Sequence, residues 1–423
     1  MAKSAAHSNK TLRSLCTALG KRSVYNSVAH CNRCGLCAAV CPVYAKIRQE
    51  SFSPRGRNQA LRLVLEGKLN LRKNKAQLKQ IAYSCTLCGQ CSQVCPGQIP
   101  TVQHVLELRR RLSGAALPSS LFKLMRLRET SPRLFAEIVR GGLALHRAKL
   151  LPGFSWLKFL KERLPRTHYP AFNPPAQQRP TLIYLPSFEA QFLRPDIAQQ
   201  VYTLAAHKYH PAVWLNTPSG LFEYVYGDLP RARKLVRCLL TRHARTGNGK
   251  LPLLIDSTEL YEFLQQAPAL FDGFDTWQRK AEHFVSCLRF VTDLFPKKLS
   301  AASTPSPVLF MSTSLLGAPA PLVAQTQEIL HTLFKKNFVQ CEYTSACLPP
   351  FGYGLGNTQA VQGLHLSAVG TVARHQTRTV VVCSVGTALE MEALLHRFYP
   401  SAQVRHVAHL TDNVCNLTTK ATS

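Results

Sequence analysis

Acidic residues are scarce in this chain: 22 Asp and Glu stand against 52 Lys and Arg, a formal net charge of +30 over 423 residues. A surface of that sign attracts anionic lipid, an acidic partner or nucleic acid, or is simply a solvated basic face. Long apolar runs are missing as well, since none approaches the roughly 20 residues of a membrane-spanning helix. The stretch Met1 to Lys10 has neither an apolar segment nor paired arginines. No secretory or twin-arginine signal is therefore expected, and the expected location is the cytoplasm or the inner face of the cell membrane. The 15 histidines contain no His-x3-His pair, and there is no Gly-x-Ser-x-Gly elbow and no Walker loop. These gaps exclude the common zinc-protease, serine-hydrolase and P-loop signatures. Gly352-x-Gly354-x-Gly356 lacks the full dinucleotide fingerprint and reads as a turn.

What is present is cysteine, in a pattern. Cys31-x2-Cys34-x2-Cys37-x3-Cys41-Pro42 is followed 54 residues later by Cys85-x2-Cys88-x2-Cys91-x3-Cys95-Pro96. Eight of the 15 cysteines thus sit in two copies of the bacterial [4Fe–4S] run. A cubane cluster needs four soft thiolates, and x2 loops deliver three of them from one tight turn. The fourth must come from elsewhere. In two-cluster ferredoxins the last cysteine of each run serves the other cluster. The expected ligand sets are Cys31, Cys34, Cys37 and Cys95 for one centre, and Cys85, Cys88, Cys91 and Cys41 for the second. Zinc has no use for the third cysteine and the Cys-Pro at this spacing. A disulfide framework belongs to short secreted chains. Cys16, Cys238, Cys287 and Cys415 have no partners at ligand spacing and read as structural.

The length predicts roughly two to four domains, and the charge separates them. Residues 1–178 hold 30 of the Lys and Arg but 6 of the Asp and Glu, a net of +24, against +6 for residues 179–423. A short helix is expected around Leu12, Leu15 and Leu19, with Gly20 as its stop. Ser53-Pro54-Arg55-Gly56-Arg57 starts a helix carrying Ala60, Leu61, Val64 and Leu65, because Ser-Pro suits the N-cap and first helical position. A basic helix from about 72 to 82 leads into the second run, and another follows it with Val102, Val105 and Leu106 on one face. Residues 117–170 read as basic helical patches; Phe154, Trp156, Leu157, Phe159 and Leu160 form a stripe that suits either a membrane interface or the protein's own core. Pro170 through Pro180 is a proline-rich linker.

Beyond the linker strands alternate with helices. Strands are expected at 181–185, 212–215, 251–255, 308–311, 338–339 and 380–383. Ile183 to Ile255 and Leu309 to Val381 both span 72 residues, and Val213 to Val339 keeps the 126-residue offset between halves. This spacing predicts two repeated α/β units, each with a parallel sheet. The expected fold is therefore a multidomain α+β chain: an α-helical dicluster ferredoxin domain at 1–116, a basic helical segment and linker at 117–178, and α/β repeats at 179–303 and 304–423.

The twin cysteine runs, the Ser53–Arg57 segment and the two-copy α/β region together resemble the family of glycolate oxidase iron–sulfur subunits and heterodisulfide reductase-like dicluster proteins. That family carries Cys-Cys-Gly motifs in its two C-terminal cysteine-rich repeats. Here the corresponding stretches read Pro218-Ser219-Gly220, Ile255-Asp-Ser-Thr-Glu259, Ser345-Ala-Cys347 and Val382-Cys-Ser-Val-Gly386. The pairs are gone, and Cys341, Cys347 and Cys383 are the remaining cysteines that could converge on a metal there; packing as small hydrophobes is the commoner fate. The resemblance implies an electron-transfer subunit with two 4Fe-4S clusters and no substrate site of its own. Its electrons would come from a flavin-containing 2-hydroxy-acid dehydrogenase partner and go to a quinone or another carrier. The alternative is a basic binding or scaffold protein with structural clusters, although no DNA-reading module and no interleaved aromatic platform is visible.

Overall fold

The computed structural model describes residues 14–17, 20–112, 119–148, 150, 169–175, 179–296, 306–311, 320–340 and 358–411. The first element corrects the expectation of a helix around Leu15. Strands β1 (Ser14–Thr17) and β2 (Gly20–Ser23) form an antiparallel hairpin with Ser14 opposite Ser23. Tertiary partners outweigh local helix propensity here. Leu15 is buried in the main core, the Ser14 hydroxyl donates to Asp272 Oδ2 at 2.6 Å, and Lys21 pairs with the same carboxylate.

Seven helices follow: α1 (Val24–Ala29), α2 (Leu36–Ala39), α3 (Pro42–Ile47), α4 (Pro54–Leu65), α5 (Lys75–Tyr83), α6 (Gln90–Gln93) and α7 (Thr101–Arg111). In α4 Ser53 is the N-cap, its Oγ accepting from Gly56 N at 2.9 Å, and Pro54 fills the first position where a missing N–H is harmless. Ala60, Leu61 and Val64 then point inward toward α5 and α7. The segment is a helical domain with a small hairpin at its start.

Two more helices, α8 (Ser119–Thr130) and α9 (Pro132–Arg147), pack against each other. Leu124 and Leu127 turn toward the protein, and Phe135 packs at a tilt against Phe188 and edge-to-face against Phe192, with ring centroids 5.9 and 5.6 Å away. The Phe154–Leu160 stripe lies outside the described residues. In the proline-rich stretch Phe172 is buried against Tyr184 and Tyr202. No described helix is long and apolar enough to cross a membrane.

Two all-parallel four-stranded sheets follow. The first contains β3 (Leu182–Leu185), β4 (Pro211–Val213), β5 (Leu253–Ile255) and β6 (Leu288–Phe290) in the order β4-β3-β5-β6. The second contains β7 (Val308–Phe310), β8 (Phe338–Gln340), β9 (Thr379–Val382) and β10 (Gln403–His406) in the order β8-β7-β9-β10. The strand order is the same in both. β6 and β10 had no sequence signal because Leu-Arg-Phe and Gln-Val-Arg-His are short, partly polar edge strands, without the apolar run that marks a strand covered on both faces.

Side-chain alternation in the first sheet splits the core in two. Ile183, Leu185, Leu253 and Ile255 join a core that also holds Leu61, Leu78, Val105 and Leu106 of the helical domain, while Leu182, Tyr184 and Leu254 join the core of the second sheet. A period of two thus makes one sheet serve as the shared wall between both neighbours.

Candidate functional site

The two cysteine runs adopt matching backbones. Arg33 and Gly35 have φ of 58° and 89°, and their counterparts Leu87 and Gly89 have 60° and 77°. Left-handed residues in such tight loops help turn backbone N–H groups toward one side, as in the concavities that cradle anions and iron–sulfur clusters. The third cysteine of each run sits on a one-turn helix, Cys37 on α2 and Cys91 on α6. Cys41 is the N-cap of α3, its Sγ accepting from Tyr44 N at 3.4 Å, and Pro42 stands at the first helical position. Cys95 opens a turn closed by a Gln98 N to Cys95 O bond of 2.9 Å.

Mutual electrostatics shows which thiols are neighbours. Burial pushes the Cys37 thiol up to about 11, and Cys31, Cys95 and Cys34 add to the effect. Burial likewise raises Cys88 to about 11, with Cys85 and Cys41 contributing, and raises Cys91 well above the usual thiol value, with Cys88, Cys85, Cys41 and Cys37 contributing. Coupling therefore runs across the two runs, from Cys95 to Cys37 and from Cys41 to Cys88 and Cys91. Packed thiols of this kind resist ionisation on their own, and coordination by a thiophilic metal reverses that preference. The donor set therefore fits iron–sulfur clusters. Among the described residues no three His, Cys, Asp or Glu side chains close on a single ion.

The Ser53–Arg57 segment supplies the polar shell. Arg57, 2% exposed, donates from Nε to Ile81 O at 3.2 Å, from Nη2 to Ser84 Oγ at 3.0 Å, and from Nη1 toward Cys41 Sγ at 3.8 Å. Asn58 Nδ2 donates to Thr101 Oγ1 at 3.1 Å and points at Cys31 Sγ, 3.8 Å away. Burial lowers His104 to about 3, so the ring is neutral. With Asn58 Oδ1 3.0 Å from Nδ1, the proton belongs on Nδ1, and Nε2 accepts from the Ser27 hydroxyl at 2.9 Å. That chain fixes the Asn58 amide with its N–H groups toward sulfur. A Cβ on Gly56 would lie 2.1 Å from Glu50 O, so the turn before α4 closes only on glycine.

One guanidinium ties the second run to the α/β region. Arg109, 1% exposed, donates to Ala82 O at 3.1 Å, to Cys85 O at 2.8 Å and to Val225 O at 2.8 Å. Beside it Tyr83 donates to Tyr226 O at 3.0 Å. In the sequence Arg109 is one of three consecutive arginines and Arg57 closes the Ser53–Arg57 segment, and nothing local marks either as buried.

The other cysteines divide. Cys383 is buried with its thiol pushed up to about 12 by burial, and it donates to Thr326 Oγ1 at 3.6 Å. Cys287 is buried against Gly249 O and Cys238 is exposed. Cys341, Cys347, Cys415, the side chain of Cys16 and the Gly352–Gly356 loop lie outside the described residues. Ser219 and Ser257, in stretches where the resembled family has cysteine-rich loops, line one cleft.

A helical domain with two matched cysteine nests is the architecture of an iron–sulfur protein, and residues 27–99 match the family model described as a 4Fe-4S dicluster domain. Among curated proteins, the chain is 29% identical over 157 residues to the glycolate oxidase iron-sulfur subunit of Escherichia coli (strain K12), covering 36% of this chain and 34% of that one. It is 34% identical over 89 residues to lactate utilization protein B of an Exiguobacterium species and to that of Macrococcus caseolyticus, covering 20% of this chain and 18% and 17% of theirs. The matches span about a third or less of the length of these relatives. No solved structure matches. These are the relatives that the cysteine runs lead one to expect.

Proposed function

We propose that the chain is an electron-transfer subunit carrying two 4Fe-4S clusters. Cys31, Cys34, Cys37 and Cys95 would hold one, and Cys85, Cys88, Cys91 and Cys41 the other. The observation that supports this reading is the electrostatic coupling of Cys95 with Cys37 and of Cys41 with Cys88 and Cys91, between the two runs. Bound there, the clusters would accept and donate single electrons. The chain's own residues hold the thiolates in matched nests, direct Arg57 and Asn58 at two of the sulfurs, and bury Cys85, Cys88 and Cys91 away from water. The similarity to a glycolate oxidase iron-sulfur subunit supports a flavin-containing 2-hydroxy-acid dehydrogenase as the electron donor, with a quinone or another carrier as acceptor. The two sheets of like strand order, both parallel, support a reading of the C-terminal part as two units of the cysteine-rich type that have lost their cysteine pairs.

Anaerobic reconstitution tests this. About eight irons per chain are expected, with about four remaining in Cys34→Ala and in Cys88→Ala. Full iron and unchanged reduced-state EPR signals in both variants would remove the ligand assignment. Stopped-flow mixing of the oxidised chain with a reduced flavin-containing 2-hydroxy-acid dehydrogenase distinguishes electron transfer, in which the flavin is reoxidised as the clusters are reduced, from a scaffold with structural clusters, which would not take up electrons.

A further inference from the structure

The two matched nests have opposite surroundings. In the second, Thr86 is 4% and Leu87 1% exposed, Cys85, Cys88 and Cys91 are all buried, and Leu364 of the Thr358–Arg374 helix packs on Cys88. Cys41, which couples to that group, is buried as well. In the first, Asn32 and Arg33 take the places of Thr86 and Leu87 and are exposed, Cys34 is exposed, and Cys31, Cys37 and Cys95 are half-buried. One backbone thus presents an enclosed set and an open set of thiols. The residues of the x2 loops match the difference, Thr-Leu inside and Asn-Arg outside.

The rim of the open set has an apolar part and a charged part. Leu36, 57% exposed, stands between Cys34 and Cys37 on α2, and Val94, 41% exposed, precedes Cys95 at the end of α6. Because α2 packs against α6, both apolar side chains border the open thiols. Around them the charge is of one sign. Residues 1–106 hold 16 Lys and Arg against two acids, Glu50 and Glu66. Both acids are engaged, Glu50 with Arg55, and Glu66 with Arg62 and Lys68. Arg55 lies against the open nest: its Nη1 donates to Arg33 O at 3.3 Å, and a Cβ on Gly35 would stand 2.8 Å from that nitrogen. Arg33, Lys46 and Arg48 are exposed. An apolar centre within a charged rim is the make-up of a protein-docking surface, and the sign of the rim selects the partner.

We infer that the face around Cys34 docks a redox protein that carries acidic side chains around its own redox centre, and that electrons cross between the two proteins at the Cys31, Cys34, Cys37 and Cys95 group. The inference rests on the electron-transfer reading above. Tunnelling falls off steeply with distance, so the open group exchanges electrons with a docked protein and the enclosed group exchanges them with the open one. Each crossing moves one electron: a reduced flavin in the partner loses it, the centre at the open group gains it, and no bond between heavy atoms forms or breaks. Leu36 and Val94 exclude water at the contact, while Arg33, Lys46, Arg48 and Arg55 steer the acidic face onto it.

The test uses the reconstituted full chain with two probes, flavodoxin, a small acidic flavoprotein, and cytochrome c, a small basic redox protein. Calorimetry at low salt on the oxidised chain and oxidised flavodoxin reads docking without electron transfer. Saturable binding that weakens as salt is raised is expected. Leu36→Glu and Arg33→Glu should each weaken it by about tenfold, with iron content unchanged. Lys234→Glu makes the same change of charge at an exposed site on the Leu229–Arg245 helix and should weaken it less than about threefold. Cytochrome c should respond in the opposite sense, binding Arg33→Glu more tightly than the wild type. In stopped flow, reduced flavodoxin should reduce the centre that remains in Cys88→Ala at close to the wild-type rate, and the one that remains in Cys34→Ala at least about tenfold more slowly. No saturable flavodoxin binding to a protein holding about eight irons, equal weakening by Lys234→Glu, or faster reduction in Cys34→Ala than in Cys88→Ala overturns the inference and leaves the electron-transfer reading standing. A protein that takes up no iron overturns both.

Discussion

Replacing Arg57 by glutamine asks whether Cys41 belongs to the cluster of the other run. The guanidinium is 3.8 Å from Cys41 Sγ and 2% exposed. At an effective dielectric of about 20, a unit charge at that distance interacts with a unit of added negative charge by about 4 kcal/mol. An electron added to a cluster is spread over several atoms further away than the ligand sulfur, so about half of that is a fair expectation, on the order of 50–100 mV in a one-electron potential. The sign follows from charge. Arg57 stabilises the reduced form, so its loss lowers the potential. Glutamine keeps a donor for Ile81 O or Ser84 Oγ, which limits the collapse that alanine would invite. Arg57→Lys retains the charge and should shift the potential far less. The assay is an EPR-monitored redox titration in two backgrounds, Cys34→Ala and Cys88→Ala, each retaining one cluster. Arg57→Gln should lower the potential of the cluster that survives in Cys34→Ala and leave the other nearly unmoved. A shift confined to the cluster that survives in Cys88→Ala would refute the crossover, and no shift in either would refute the electrostatic role of Arg57.

Gly227 has φ of +90°, and a Cβ there would lie 2.8 Å from Arg109 C, so Gly227→Ala should destabilise the docked helical domain by about 1–3 kcal/mol; a melting temperature equal to wild type would contradict the close approach. Burial raises Asp256 to about 6 even though Tyr184 Oη, at 2.7 Å, and Ser187 N, at 3.0 Å, donate to it. A carboxyl raised in the folded state binds its proton more tightly than in the unfolded chain, so folding is favoured below the folded value and loses stability as pH rises from about 4 through 6. Asp256→Asn should therefore raise the melting temperature at pH 8 relative to wild type by an amount worth about 2–3 kcal/mol, with little gain at pH 4.5; equal gains at both would count against the titration. Native alkylation followed by peptide mapping should modify exposed Cys238 and spare buried Cys287 and Cys383, and rapid labelling of Cys383 would contradict its packing.

The cysteine runs were legible because ligand spacing is a local property: three thiols in seven residues with a left-handed residue between each pair make a nest whatever surrounds it. The strands at β3, β5, β7 and β9 were legible for a similar reason, as fully covered strands read as unbroken apolar runs. Edge strands β6 and β10 were not, and the segment around Leu15 forms a hairpin strand instead of the expected helix, because Leu15 packs into the main core and Ser14 and Lys21 bond to Asp272, more than 250 positions away.

The sequence by itself therefore determined the chemistry of the site: eight thiols in two matched runs, a basic helical segment to carry them and a parallel α/β region behind. Only the tertiary structure decided what surrounds those thiols. Arg57 and Arg109 are two of many basic residues in the +24 half, and nothing local marks them as buried; they become specific because helix packing removes them from water and leaves sulfur and carbonyl oxygens as their partners. Likewise Glu189, Asp256 and Glu259 read as ordinary surface acids along the chain. Burial of Asp256 and Glu259 comes only with the assembled fold, because tertiary packing is what removes them from water.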